Sequence, residues 1–234
     1  MIRNADICTM DIVILAATER EMRPVRQSLE ERLHSLRHHR FDYIVTGVGI
    51  LHATHAVTRY LSGHRPDLAV QVGIAGTFRP GAFPPGSAAA VHTETLGDAG
   101  VVEVDGAWKD LFDLGLADAE APPYLSGRLV NPHRNLLEST GLALASGVTV
   151  NRVSSEASQI ERLMAKLQPD LESMEGAPFH YACLSEDIPF LQLRGVSNTV
   201  GERDKRKWMT AEAMDSLQEA LAMLLLKFNE TGRP

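Results

Sequence analysis

Asp11-Ile-Val-Ile-Leu-Ala-Ala17 is a continuously apolar run bounded by polar residues, the pattern of a parallel strand buried on both faces. Thr18 follows and can cap a helix, with Glu19 and Glu21 in the first turn near the positive end of its dipole. The pattern then recurs. Phe41-Asp-Tyr-Ile-Val-Thr46 reads as a second strand ending at Gly47-Val-Gly49. A helix is expected from about Ile50 to Ser62, with Leu51, Val57 and Leu61 on one side and Gly63 as its stop. Asp67-Leu-Ala-Val-Gln-Val72 is the third strand and opens into a turn, Gly73-Ile-Ala-Gly76. This β-α-β-α-β order predicts one α/β domain over residues 1–234, with a central twisted, mostly parallel or mixed sheet flanked by helices.

Further along, Gly86 to Thr93 reads as a strand, and the region 97–135, with Pro122-Pro123 and weak periodicity, as a long irregular insertion. Gly147-Val-Thr-Val150 is a strand, and a helix follows from about Ser155 to Leu167 with Ile160, Leu163 and Leu167 on one face. Glu175 to about Ser185 should be helical and lead into a strand over Pro189–Arg194. The last helix is expected from an N-cap at Thr210 to about Phe228, with Met214, Leu217, Leu221, Leu224 and Phe228 in register.

Hydrophobic residues make up 44% of the 234 and charged residues 23%, as in a soluble globular protein. The net charge of −7 offers no basic excess to neutralise phosphates and argues against a nucleic-acid partner. Cys8 and Cys183 are too few for a disulfide framework. The first ten residues lack an apolar core, and Ile12 to Ala17 is too short to span a bilayer. A cytoplasmic protein with no membrane association is the expectation.

Several residues can carry chemistry. Pro189-Phe-Leu-Gln-Leu-Arg-Gly-Val-Ser-Asn198 closes an apolar run on a polar side chain, which is how an α/β protein aims a group at a ligand beyond its sheet. Ser173-Met-Glu-Gly176 lies upstream, so Glu175 and Asn198 can converge on one crevice and hold a sugar and a heterocyclic base. Glycines at 47, 49, 73 and 76 allow close backbone approach, without the spacing of a dinucleotide fingerprint or the lysine of a P-loop. Glu19 and Glu21 either complement the helix dipole or supply a general base. His52 and His55 stand i, i+3 on a helix but lack a third ligand of suitable spacing, so no metal is expected. His34, His38 and His39 lie in a polar stretch and are expected at the surface. Trp108 is either core or a stacking surface. Arg203-Asp-Lys-Arg-Lys207 reads as a solvated loop near enough to Asn198 to meet an anionic group.

Taken together, Ile14-Leu-Ala-Ala-Thr-Glu-Arg-Glu21, Val45-Thr-Gly-Val-Gly49, Gly73-Ile-Ala-Gly76, Glu172-Ser-Met-Glu-Gly176 and Arg194-Gly-Val-Ser-Asn198 resemble the purine nucleoside phosphorylase and nucleosidase superfamily. Within it the pattern is most similar to the futalosine hydrolases, with methylthioadenosine/S-adenosylhomocysteine nucleosidases as near relatives; region 97–135 matches poorly. The resemblance implies that Glu21 activates the attacking water and that Glu175 accepts hydrogen bonds from ribose hydroxyls. It places Met174 against the sugar, Ile74, Ala75 and Gly76 along the water or phosphate pocket, and Val153 and Ser197 beside the substrate. It also implies a homo-oligomer, a dimer, with 97–135 as the segment that would reach a neighbouring subunit's site, and no cofactor.

At Asn198 the sequence departs from the adenine-specific nucleosidases, which carry Asp there. An amide cannot act as a general acid, but its NH₂ offers two donors suited to N7 and O6 of a 6-oxopurine. The resemblance therefore favours hydrolysis of futalosine, an inosine-like nucleoside, releasing hypoxanthine and dehypoxanthine futalosine in menaquinone biosynthesis. Alternatives are a nucleosidase acting on methylthioadenosine, S-adenosylhomocysteine or aminodeoxyfutalosine, a purine nucleoside phosphorylase, or a silent nucleoside-binding protein. Phosphorolysis is disfavoured because the turn carries Ile74 rather than serine, and Arg20 and Arg23 are expected on a helix surface. For a carboxylate at the 5′ end, Arg79, Lys109, Arg152 and Arg203 stand unranked.

Overall fold

The computed structural model describes residues 9–32 and 39–231, the side chains of 229–231 excepted. Cys8, His34 and His38 lie outside the described residues. The strands are β1 Asp11–Ala16, β2 Arg40–Val45, β3 Leu68–Thr77, β4 Ala88–Leu96, β5 Gly100–Val102, β6 Trp108–Asp110, β7 Leu129–Val130, β8 Ala143–Thr149, β9 Leu171–Ser173 and β10 Phe190–Thr199. The helices are α1 Glu19–Glu31, α2 Ile50–Leu61, α3 Arg134–Ser139, α4 Ala157–Lys166, α5 Gly176–Ser185 and α6 Thr210–Thr231.

The expected α/β domain with a mixed sheet flanked by helices is what forms, but the sheet does more than lie open. β1 pairs in parallel with β2 and β3, as the βαβ pattern requires. β3 also pairs with β10, β10 with β4, β4 with β8, β8 with β9, and β9 returns to β3. Five strands thus close into a ring, with β1 and β2 extending from one side. Closure needs a long shared strand, and β3 provides it. Its first half, Ile12↔Leu68 to Ala16↔Val72, pairs with β1; its last residues, Gly76↔Glu172 and Thr77↔Leu171, pair with β9. Between them, residues 73–75 lack a strand on that edge while β10 runs along the other.

Packing follows the apolar pattern. Ile12, Ile14, Leu68, Val70 and Val72 meet Met22, Val25 and Leu29 of α1 and Leu217, Leu221 and Leu224 of α6 in one buried cluster. Val13, Leu15 and Ala69 pack on the opposite face with Val57 of α2 and Phe179 of α5. The α6 register is as expected: Met214, Leu217, Leu221, Leu224 and Phe228 are all buried.

Several expectations need correction. Gly73–Gly76 is not a turn but the continuation of β3, because β10 pairs with it throughout. β10 likewise runs on past Arg194 to Thr199, and β4 past Thr93 to Leu96. Leu51 is 79% exposed; α2 buries Ala53, Val57 and Leu61, the i, i+4 row that faces α5. His39 is buried beside Phe41, since the polar stretch ends at the start of β2. Region 97–135 is partly ordered into the β5–β6 hairpin, β7 and α3. The short β9 has too few residues to show a period, and it was not expected.

Candidate active site

Glu21 owes its position to local sequence. Thr18 caps α1 as expected: its side chain accepts from Glu21 N, and Glu21 Oε2 accepts from Thr18 N at 3.0 Å and from its hydroxyl at 2.7 Å. This reciprocal capping box fixes the carboxylate. Its other oxygen accepts from Ile74 N at 3.2 Å, on the edge of β3 that no strand covers. Glu21 thus complements the helix end and also faces the segment of β3 that no strand covers. Glu19, Arg20 and Arg23 are exposed.

Glu175 reaches the same segment from β9. It is the last residue before α5, and its Oε1 accepts from Gly49 N at 2.9 Å. Gly49 opens α2 with φ +89°, a conformation that favours glycine and turns this amide toward the carboxylate. Gln71 Nε2 donates to the Glu175 carbonyl at 3.1 Å. Arg194, 1% exposed, gives Nη2 to Gln71 Oε1 at 2.8 Å and holds Nη1 4.0 Å from Glu175 Oε2.

Gly73 lies in register with Arg194 and has no room for a side chain. A Cβ there would stand 2.5 Å from Arg194 Nη1 and 3.0 Å from Glu21 Oε1. Arg194 and Glu21 thus meet over Gly73, and Arg194 links them to Glu175. Burial pushes the Glu175 carboxyl above its ordinary range; Arg194 and the Gly49 amide pull it back, and the Glu21 charge adds to the rise.

Asn198 occupies the far end of this row. A β-bulge between Val196 and Asn198 brings Asn198, rather than Ser197, opposite Gly76, the kind of local insertion that re-aims a side chain. Ser197, 1% exposed, turns its hydroxyl to Asn198 Oδ1 at 2.7 Å and Ala75 O at 3.2 Å. Asn198 Nδ2 donates to Thr199 O at 2.9 Å. The expected pair of free donors is therefore reduced to one, because a backbone carbonyl takes the other. Gly76 is two residues beyond Ile74, about 7 Å of strand, so β3 separates the Glu21 carboxylate from the Asn198 amide by that rise.

Met174 is half-buried beside Glu175, and Val153 is half-buried in the loop after β8. Ala75 is buried in an apolar cluster with Val196 and Leu171. His52 and His55 are exposed, and among the described residues no group of three metal-ligating side chains forms. Trp108 packs against the Val148, Val150 and Leu163 cluster under the Lys166 ammonium, 4.8 Å from its ring. The basic loop pairs internally, Arg206 with Asp204 and Lys207 with Glu202. Arg79 pairs with Asp170 and Lys109 with Glu103. Arg194 and Gln71 received no role from the sequence alone, although a charge and an amide inside strands otherwise apolar were the available signal.

A closed mixed barrel, a capped glutamate on its open edge and a second glutamate tied to a buried arginine describe a small-molecule site, and the family follows. The chain belongs to the phosphorylase superfamily, whose model matches residues 11–229, and it is an enzyme of the N-glycosyl hydrolase kind. More particularly, it is 32% identical over 203 residues to the futalosine hydrolase of Thermus thermophilus, covering 83% of this chain and 85% of that protein. It is 32% identical over 191 residues to the futalosine hydrolase of Streptomyces coelicolor, covering 79% and 78%. In fold it resembles a methylthioadenosine/S-adenosylhomocysteine nucleosidase from Colwellia psychrerythraea solved with adenine, with a TM-score of 0.74, 19% identity and coverage of 93% and 95%. It also resembles the futalosine hydrolase of Helicobacter pylori, with a TM-score of 0.71, 12% identity and coverage of 92% and 97%. No described helix is long and apolar enough to cross a membrane.

Proposed function

We infer that this chain cleaves the N-glycosidic bond of futalosine with water, releasing hypoxanthine and dehypoxanthine futalosine in menaquinone biosynthesis. The observation that carries the reading is the meeting of Glu21 and Glu175 around Gly73 and Arg194. Glu21 Oε1 bonds one amide and keeps a lone pair that can accept a proton from water. A carboxylate base so placed contributes on the order of 10²–10⁴-fold. Glu175 accepts from the ribose hydroxyls and, when ionised, offsets positive charge that develops on the sugar as the bond breaks. The remaining Asn198 N–H donates to the departing purine and stabilises charge without transferring a proton. Water is the nucleophile in this reading because Arg194, the arginine that lies in register with Gly73, is committed to Gln71 and Glu175 and is not free to hold phosphate. A cytoplasmic homodimer without a cofactor completes it.

The test is incubation with futalosine and with aminodeoxyfutalosine, with and without phosphate, followed by chromatography of the products. Free hypoxanthine from futalosine at equal rates in both buffers is the expected result. Strict phosphate dependence, or release of adenine alone, contradicts the reading.

A further inference from the structure

Glu94 is used by none of the steps above, yet it is a fully buried carboxylate on β4. Its Oε1 accepts from Gln192 Nε2 at 2.8 Å and its Oε2 from the Thr149 hydroxyl at 2.9 Å. Taking a carboxylate out of water is costly unless hydrogen bonds compensate, and the backbone around this one leaves it room. Gly147 stands opposite it in register. Gly176 lies over it: a Cβ there would be 2.5 Å from Glu94 Cδ and 2.6 Å from Gln192 Nε2. Gly176 is the residue that follows Glu175.

The start of α5 shows what this arrangement does. An N-cap residue ordinarily turns its side chain back onto an amide of the first turn. Glu175 holds that position and makes no such bond; its carboxylate reaches to Gly49 N instead. The first amides of the helix still need acceptors. Pro178 carries no N–H, and Phe179 N donates to the Glu175 carbonyl at 3.4 Å. Ala177 N donates to Thr149 Oγ1 at 2.7 Å. The Thr149 hydroxyl has one hydrogen and gives it to Glu94, so a lone pair is what it turns to Ala177. The Glu94 carboxylate also faces the positive end of the α5 dipole.

We propose that Glu94 and Thr149 are positioning residues: they cap α5 from the neighbouring strands, which releases the Glu175 side chain from its own helix and holds it to the ribose. This rests on the role of Glu175 as acceptor of the ribose hydroxyls. With the Thr149 oxygen gone, the Ala177 amide is left to the N-cap side chain, and Glu175 is drawn back from the sugar. Burial pushes the Glu94 carboxyl up to about 7, against the pull of Gln192, Arg194 and Thr149, so mildly alkaline buffer keeps both of its oxygens as acceptors.

The test is kcat/KM on futalosine and on its 3′-deoxy counterpart for wild type, Thr149→Val, Thr149→Ser and Glu94→Met, each in mildly alkaline buffer below its thermal midpoint. The ratio between the substrates reports where the Glu175 carboxylate stands, because their intrinsic reactivities cancel between proteins. Thr149→Val keeps the volume and removes the acceptor, so the wild-type preference for the full ribose should fall about tenfold. Glu94→Met leaves the hydroxyl unoriented and should lower the preference in the same direction. Thr149→Ser loses the methyl but keeps the oxygen, and should retain the preference even where its midpoint is lower. Unchanged preference in either apolar variant, or an equal loss in Thr149→Ser, would overturn the assignment. A wild type that cleaves both substrates alike instead removes Glu175 from the ribose. If an apolar variant does not fold, Thr149→Cys against Thr149→Ser asks the same of the cap, since sulfur is a weak acceptor: a lower preference in the cysteine variant supports the assignment, and equal preference refutes it.

Discussion

The two halves of β3 are one continuous strand with opposite duties. Leu68 to Val72 is flanked by β1 and β10, and Leu68, Val70 and Val72 bury into the α1–α6 cluster. Gly73 to Thr77 keeps β10 but exchanges β1 for β9, and in the interval it meets Glu21, Arg194 and Asn198. The first half is satisfied on both edges and apolar except for Gln71, which reaches from it to Arg194 and Glu175. The second gives up side chains at 73 and 76 so that polar groups from other elements can approach. A strand shared in this way makes the site rigid at low conformational cost, because its backbone is already held by the core.

The comparison requires that damage to the second half stop chemistry without unfolding the protein. The largest effect is expected from Glu21→Gln, which keeps the shape but removes the base: kcat should fall on the order of 10²–10⁴-fold. Gln can still cap α1, so the thermal midpoint should stay near wild type, and a variant of unchanged kcat would remove Glu21 from the chemistry. Next comes Gly73→Ala. The new methyl must displace the Arg194 guanidinium at 2.5 Å and the Glu21 carboxylate at 3.0 Å. Misplacement of about 1 Å at such groups lowers turnover by about 10²-fold. Full activity in this variant would show that the close approach over Gly73 has no catalytic weight.

How far each half could be read from the sequence follows the same division. Asp11–Ala17 and Asp67–Val72 carry long apolar runs, and burial on both faces makes such strands plain. The capping of α1 by Thr18 was legible because the capping box is a local pattern of residue types. The continuation of β3 through Gly73-Ile-Ala-Gly76 was not, since glycines ordinarily signal a turn and only the distant β10 keeps them extended. The bulge at Ser197 depends on the same pairing, so the loss of one Asn198 donor to Thr199 O was hidden with it. Glu21, Glu175 and Asn198 were nameable one by one, but the role of Arg194 between the two glutamates appears only when β3 and β10 are brought into register.

In the first half the expected phenotype is the reverse. Val70 is fully buried in the apolar cluster, and Val70→Ala leaves a cavity worth about 2 kcal/mol of stability. That is roughly 30-fold in the folding equilibrium, read as a lower midpoint in denaturant with an unchanged slope. Its kcat at a temperature where it is fully folded should match wild type. A loss of turnover there would mean that the halves are mechanically coupled.

The subtlest contrast is in pH. In the proposed reaction Glu175 offsets the positive charge on the sugar only when ionised, and its pKa lies above the usual 4.5 because burial outweighs the help from Arg194. The rate should therefore fall, as acid is added, at a higher pH than an ordinary glutamate would give. For stability the sign is opposite. A carboxyl whose pKa is raised on folding binds a proton more readily in the native state, so its contribution is full below the unfolded value and is lost as pH rises through the folded one. Acid thus removes activity in a range where this group strengthens the fold, and the inactivation should be reversible. Arg194→Met removes the opposing charge and should carry the acid limb to still higher pH, whereas folded Val70→Ala should reproduce the wild-type profile. Profiles of kcat/KM measured beside thermal midpoints over the same pH range decide the matter: an acid limb at or below 4.5, or one that tracks unfolding, removes Glu175 from the ionised role given to it here.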